Sequence, residues 1–306
     1  MPIKRSTVLM VPPDSFQYNF ETAATNSFQS EIHIYNLREK ALEEFYSMVS
    51  MLRTEGINVL ILNQNKLLPD AVFPNNWFST HVDASGKNIL IIYPMLAKNR
   101  QQEVNLEGLM KALNSAKFEV DQIIDLRNTD NEILEGTGSL VLDHQYRLLY
   151  ASLSERTSSA MVGKVAQILN YRPIVFTSSD EHFYPIYHTN VIMGIAKEYV
   201  IVCLDAVKDP IQRSAISHGV QMTNKLVIEI SLEQVRHMCG NVLELYNNRG
   251  ESVLVLSAQA QQNFTEKQLD TIQRYSKLLP IQLETIETVG GGGARCMMAE
   301  INYPQN

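Results

Sequence analysis

Five polar side chains recur through this sequence at intervals of fifty-odd residues: Asn76, Glu135, His188, Asn241 and Cys296. Among them are one thiol, one imidazole and one carboxylate, the set needed for a nucleophile, an acid/base group and an orienting charge in covalent hydrolysis. Cys296 has the most unusual setting. It follows Gly290-Gly291-Gly292-Gly293-Ala294-Arg295, and four consecutive glycines serve no core, because each loses much backbone entropy and packs no side chain. Such a run fits a chain that turns sharply and passes close to a ligand. The ordinary alternative for a lone cysteine beside an apolar run such as Met297 to Ile301 is a small buried hydrophobe. Cys239, next to Gly240-Asn241, is the competing thiol, whereas Cys203 lies inside the apolar run Ile201 to Leu204 and reads as core. His188 has a neighbour of the same type in His182, and Glu135-Gly136-Thr137-Gly138 also fits a plain turn.

Elements able to bring such distant residues together emerge from a repeated pattern of strand, turn, strand, helix and strand. One copy comprises strands Ala71 to Thr80 and Asn88 to Tyr93, a helix around Gln101 to Ala116 and a strand Glu119 to Asp125. A second has Ser139 to Asp143, Arg147 to Ser152, a helix around Glu155 to Leu169 and Pro173 to Thr177. The third is Val191 to Ile195, Tyr199 to Leu204, a helix around Pro210 to Thr223 and Leu226 to Ile230. The fourth is Val242 to Tyr246, Ser252 to Ser257, a helix around Glu266 to Leu278 and Ile281 to Ile286. A fifth begins with Cys296 to Ile301 and is completed from the other end of the chain by Thr7 to Val11, a helix around Leu37 to Arg53 and Ile57 to Leu62. Joining the two ends closes five ββαβ units into an α/β propeller and removes the exposed edges of an open array. The pattern therefore predicts a single catalytic domain over residues 1–306. Rotation places the five recurring polar residues around one axis. An irregular, polar and aromatic insert, Pro12 to Glu31, has no counterpart in the other units; a segment of this length without elements of its own is either a functional lid or disorder.

Composition narrows the function. The 306 residues are 45% apolar and 19% charged with a net charge of -7, and no basic block exists to neutralise phosphates, which argues against a nucleic-acid binder. The apolar run Val8 to Val11 is too short for a signal peptide or a membrane span, so a cytoplasmic protein is expected. Three cysteines without metal-ligand spacing point to reduced thiols, with no metal and no organic cofactor expected. The partner that suits this charge is a small cationic or neutral molecule; a homo-oligomer stays possible.

Taken in order, Glu135-Gly136-Thr137-Gly138-Ser139, His188-Thr189-Asn190, Gly240-Asn241-Val242-Leu243 and Gly290 to Cys296 resemble the amidinotransferase and arginine deiminase superfamily over nearly the whole chain. The resemblance implies the pentein fold, a five-bladed propeller of ββαβ units. Met10-Val11-Pro12-Pro13-Asp14-Ser15-Phe16, Asn26-Ser27-Phe28-Gln29 and Phe73-Pro74-Asn75-Asn76-Trp77 look like the arginine-deiminase-related citrulline-utilisation hydrolases. By similarity Cys296 attacks the central carbon of the substrate group, His188 protonates the departing amine and activates water, and Glu135 orients the histidine. Arg156, in Ser154-Glu155-Arg156-Thr157, resembles a family arginine that holds an α-carboxylate; a surface arginine at a helix start is its other reading. Phe16, Asn19, Asn26 and Phe28 fall in the insert and are candidates for a lid over the substrate.

Two departures bear on the substrate. Where arginine deiminases carry aspartates that grip a guanidinium, this chain has Asn76 and Asn190. A carboxylate only accepts hydrogen bonds and favours a cation, whereas an amide both donates and accepts. The swaps favour a neutral ureido group of citrulline type, with Asn76, Asn190 or Asn241 able to donate to an oxyanion. Arginine or a methylated arginine, amidino transfer, and a noncatalytic binding module are the alternatives.

Overall fold

The structure, a computed structural model, describes residues 5–64, 67–83, 85–128 and 132–302. Among the described residues, fifteen short strands form five separate three-stranded sheets. They are β1 (Thr7–Met10), β2 (Asn58–Ile61), β3 (Phe78–Val82), β4 (Asn88–Ile92), β5 (Gln122–Asp125), β6 (Val141–Asp143), β7 (Leu148–Leu153), β8 (Arg172–Thr177), β9 (Met193–Ile195), β10 (Tyr199–Val202), β11 (Leu226–Glu229), β12 (Leu243–Tyr246), β13 (Ser252–Ser257), β14 (Lys277–Ile281) and β15 (Ala299–Ile301). In every sheet the middle strand pairs antiparallel with one neighbour and parallel with the other. For β4 these are β3, with Phe78 opposite Ile92, and β5, with Ile89 beside Gln122. Middle strands such as Ile89 to Ile92 and Tyr199 to Val202 are continuous apolar runs because both their faces are covered.

The two distant ends of the chain share one sheet. β1 pairs antiparallel with β15, Thr7 opposite Ile301, and parallel with β2, Thr7 beside Asn58. Helix Leu37–Thr54 covers this sheet with Phe45, Met48 and Leu52, which join Val8, Met10, Val59 and the inner face of β13 in one cluster that also holds Cys296. Residues of β3, β6, β9, β12 and β15, one strand from each sheet, line a common cavity of about 780 Å³.

Most expected elements are present with shifted ends, and three differ in kind. The helix expected over Gln101 to Ala116 is two, Lys98–Gln101 and Leu106–Ser115, because Asn105 starts the second by accepting from Gly108 N at 2.9 Å. The helix expected to run from Glu266 to Leu278 stops at Gln273, and its last residues belong to β14. Residues Ile281 to Ile286, expected as a strand, lead instead into helix Glu284–Gly290. The cause is long-range: the Glu44 carboxylate accepts from Thr285 N at 2.7 Å and Ile286 N at 3.0 Å, meeting the free amides of that helix start. The insert also has structure. Asn19 caps a short helix, Phe20–Ala23, and Phe16, Asn19, Thr22 and Asn26 are buried.

Candidate active site

Each unit delivers its polar residue on a single tight turn that precedes the first strand, so strands expected to start at Ala71, Ser139, Val191 and Cys296 start later. Asn76 ends the turn Pro74–Asn76, Glu135 caps Gly136–Ser139, His188 caps Thr189–Ile192, and Cys296 lies in Ala294–Met297. Asn241 follows Gly240 in the turn that enters β12. All five residues are buried, and so is Asn190. A turn at this position aims one side chain inward while the strand behind it fixes the backbone.

His188 Nε2 and Glu135 Oε2 are 2.9 Å apart. Burial opposes charge on Glu135, but Arg156, the His188 hydrogen bond and Arg100 outweigh it and hold the carboxyl well below the usual carboxylate range. The carboxylate is therefore the acceptor and His188 Nε2 the donor, which leaves Nδ1 as the ring's basic nitrogen. Burial, only partly offset by Glu135, pulls His188 down to about 4. Nδ1 faces Gly138, where an added Cβ would lie 2.7 Å from it and 2.4 Å from Asn76 Nδ2. A glycine is required there because both functional groups converge on its α-carbon.

Cys296 sits in a cradle of amides. Asn241 Nδ2 donates to its Sγ at 3.2 Å and Asn190 Nδ2 lies at 3.6 Å. The orientation of Asn241 is fixed, since its Oδ1 accepts from Arg295 N at 3.1 Å and its Nδ2 also donates to Asn190 O at 3.1 Å. Arg295 itself turns away, donating to Met298 O at 2.8 Å. Burial pushes the Cys296 thiol up, against the opposing pull of Asn241, Arg295 and Asn190. The glycine run supplies the approach: Gly290 ends the preceding helix, Gly291 reverses the chain at φ 67°, and Gly293 opens the turn that holds the thiol.

Behind Asn76 lies a buried ion pair. Glu103 receives Arg100 through Nε and Nη2, both at 2.9 Å, and Arg100 Nη1 donates to Asn76 Oδ1 at 2.6 Å. Because a guanidinium has no acceptor, Asn76 must turn its oxygen to Arg100, and its Nδ2 is left buried without a partner. Asp70 is similar: Oδ2 accepts from Asn19 Nδ2 at 2.7 Å and Thr22 Oγ1 at 3.0 Å, while Oδ1 is buried and unpartnered.

The family model for eukaryotic N,N dimethylarginine dimethylhydrolase matches residues 12–303. The chain belongs to this family. The match agrees with the amidinotransferase and arginine deiminase superfamily to which its motifs point. No curated protein matches it by sequence. Among solved structures, apo ArgZ, an arginine dihydrolase from the ornithine-ammonia cycle in cyanobacteria, is 18% identical with a TM-score of 0.75, covering 98% of this chain and 41% of that one. The ArgZ N-terminal domain bound to substrate, a cysteine-to-serine mutant, is 16% identical with a TM-score of 0.75 and covers 98% and 99%. A cysteine-to-serine mutant of DDAH from Pseudomonas aeruginosa, complexed with citrulline, is 14% identical with a TM-score of 0.67 and covers 97% and 100%. The fold is shared; the chain spans about two fifths of full-length ArgZ and nearly all of its N-terminal domain.

Other expected site residues of this dimethylarginine dimethylhydrolase family member are occupied by the protein itself. Arg156 donates to Thr25 Oγ1 at 2.6 Å and to Thr22 O at 2.8 Å, reaches Glu135 at 3.5 Å, and stacks over Tyr187 at 4.7 Å. Asn26 Nδ2 donates to Gly290 O at 3.4 Å while its Oδ1 receives Phe28 N, and Phe28 packs edge-on against Tyr187. Both therefore link the insert to the site. Cys239 and Cys203 lie elsewhere in the core; burial pushes Cys239 up to about 12 and Cys203 to about 11. Asp70, Arg100, Glu103 and Tyr187, whose hydroxyl donates to Gly291 O at 2.8 Å, did not stand out in the sequence. The acidic Asp70 in Pro69-Asp70-Ala71, beside an apolar run, is the one local signal; Glu103 falls in the expected helix around Gln101 to Ala116 and Arg100 just before it. Among the described residues no cluster of histidine, cysteine or acidic side chains is arranged to hold a metal ion, and no helix is long and apolar enough to cross a membrane.

Proposed function

We propose that this enzyme hydrolyses the ureido group of a citrulline-type amino acid through a thiol adduct on Cys296. The observation that carries this reading is the unpartnered Asn76 Nδ2, a buried donor beside His188. A guanidinium offers only donors and would leave that group unsatisfied, at a cost of about 1–3 kcal/mol, whereas a ureido oxygen accepts from it and does so more strongly as it becomes an oxyanion. Asp70 Oδ1 is the matching acceptor for the substrate's α-ammonium. Arg156 would reach an α-carboxylate only if Thr22 and Thr25 moved away, which fits an insert that opens for entry.

In the free site the thiol and the imidazole are both neutral, so the nucleophile forms on attack. Cys296 passes its proton to His188 Nδ1 while Sγ bonds to the ureido carbon. His188 returns that proton to the departing amine, leaving ornithine and an S-carbamoyl enzyme. Water, deprotonated by the same Nδ1, then releases carbamic acid, which decomposes to ammonia and carbon dioxide. Glu135 stays ionised throughout and holds the ring.

A second reading, hydrolysis of a guanidino group, is favoured by the family match and by the carboxylates of Glu135 and Asp70. The arginine dihydrolase activity named for ArgZ fits a chain that performs both steps in turn. The five strands lining one cavity support a closed five-bladed propeller that acts as a single catalytic domain over 1–306. The test is to incubate the protein with citrulline and arginine in parallel and assay ornithine, citrulline and ammonia. Ornithine and ammonia from citrulline, lost in Cys296→Ala, is expected; ammonia from arginine alone, with citrulline accumulating, would overturn the ureido reading.

A further inference from the structure

We propose that Arg100 and Glu103 are positioning residues that set the preference between ureido and guanidino substrates, by latching the Asn76 amide in one orientation; the inference rests on the ureido reading above. An asparagine amide is nearly symmetric in shape, and rotating it by half a turn exchanges its donor for its acceptor. At Asn76 the exchange matters. With Nδ2 inward the site offers a donor to a ureido oxygen; with Oδ1 inward it would offer an acceptor to a guanidinium N–H.

Nothing in the Asn76 side chain itself decides between the two. The decision comes from Arg100 Nη1, 2.6 Å from Oδ1. In the flipped amide a donor would face a charged donor at the same distance, and both would lose their partner. Arg100 in turn has little freedom. Glu103 takes Nε and Nη2, and Nη2 also donates to Phe73 O at 3.0 Å and approaches Asp70 O at 3.4 Å. Glu103 is anchored by its backbone carbonyl, which accepts from Gln64 Nε2. The whole relay is shielded from water, with side-chain exposures of 3% for Arg100 and 1% for Glu103. A buried ion pair is commonly no more than structural, and replacing one with apolar residues is often neutral. What distinguishes this pair is that its remaining nitrogen is spent on the Asn76 amide, which lies beside His188 in the site.

The relay also explains how an arginine can stand so close to the site without repelling a cationic substrate end. Its charge is neutralised by Glu103, and its direction is turned away from the ligand space towards Oδ1 of Asn76.

The test compares kcat/KM for citrulline and for arginine in wild type, Glu103→Gln, Arg100→Gln and Arg100→Lys, with folding of each checked by thermal melting. Glu103→Gln keeps the shape of the side chain but directs an amide donor at Arg100, releasing it. Its citrulline-to-arginine ratio is expected to fall by about tenfold, because a site built around one hydrogen-bonding partner discriminates strongly only while that partner is fixed. Arg100→Gln, which can donate or accept, should fall at least as far. Arg100→Lys can only donate, so it should restore most of the ratio. In an Asn76→Ala background, Glu103→Gln should leave the ratio where Asn76→Ala put it. A wild-type preference for arginine overturns the ureido reading and this inference with it. A citrulline preference that survives Glu103→Gln and Arg100→Gln, with both substrates losing rate in parallel, overturns the inference alone and makes the pair structural.

Discussion

The two halves of the site are built from opposite materials. On the Cys296 side the contacts to sulfur are uncharged amides, those of Asn241 and Asn190. On the Glu135 side charges meet charges, Glu135 with Arg156 and Arg100 with Glu103, and Glu135 also accepts from the neutral His188. The charged side can remain ionised in a buried setting because each group has a partner. The thiol has no such partner, and burial keeps it protonated. The contrast teaches that, on the proposed mechanism, the nucleophile is not stored as a thiolate; His188 Nδ1 is to take its proton once substrate is bound.

The largest expected effect removes one half outright. Cys296→Ala should abolish turnover, by about 10⁴-fold or more, while leaving the thermal midpoint close to wild type. Glu135→Gln attacks the other half. It should lower kcat by roughly 10⁴-fold, as for other orienting carboxylates, and destabilise the fold by roughly 3 kcal/mol because Arg156 is left buried without its charge partner. Denaturant titration beside steady-state kinetics separates the two losses. Gly138→Ala probes the space between the halves. Its Cβ would meet Asn76 Nδ2 and the His188 ring, so kcat should drop by about 10²-fold, and a variant with wild-type kcat would mean that the two groups do not converge there.

A smaller effect follows from pH. His188 and His81 are pulled down to about 4 and about 3, both chiefly by burial. Below pH 6.5 the unfolded chain takes up protons that the folded chain refuses, so stability falls as pH drops, at up to about 1.4 kcal/mol per pH unit for each imidazole. Catalysis needs neutral His188, so kcat/KM should persist well below pH 6 in protein that stays folded and fail towards pH 4. An acid limb near pH 6.5 would contradict the buried, neutral imidazole.

The repeat was legible because it is local. Four of the five sheets are each made of two nearby runs and a helix return, and apolar periodicity within some fifty residues reveals them; the fifth joins the two ends of the chain. The five polar residues were legible because they stand in phase with that repeat. Ile281 to Ile286 reads as a strand, but its last three residues open helix Glu284–Gly290, whose start is stabilised by Glu44, far away in the chain. Asp70, Arg100 and Glu103 were hidden for the same reason: their meaning is a set of contacts between Asn19, Thr22 and Asn76 that no local pattern encodes. Arg156 was seen, but its ties to Thr22 and Thr25 depend on where the insert folds.

The central claim, attack by Cys296 on a ureido carbon, is tested most directly by the intact mass of the enzyme after acid quenching during turnover of citrulline. The account predicts an added carbamoyl group that peptide mapping places on Cys296 and that is absent in Cys296→Ala. Turnover of citrulline without any adduct at Cys296, or an adduct on Cys239 instead, would contradict it.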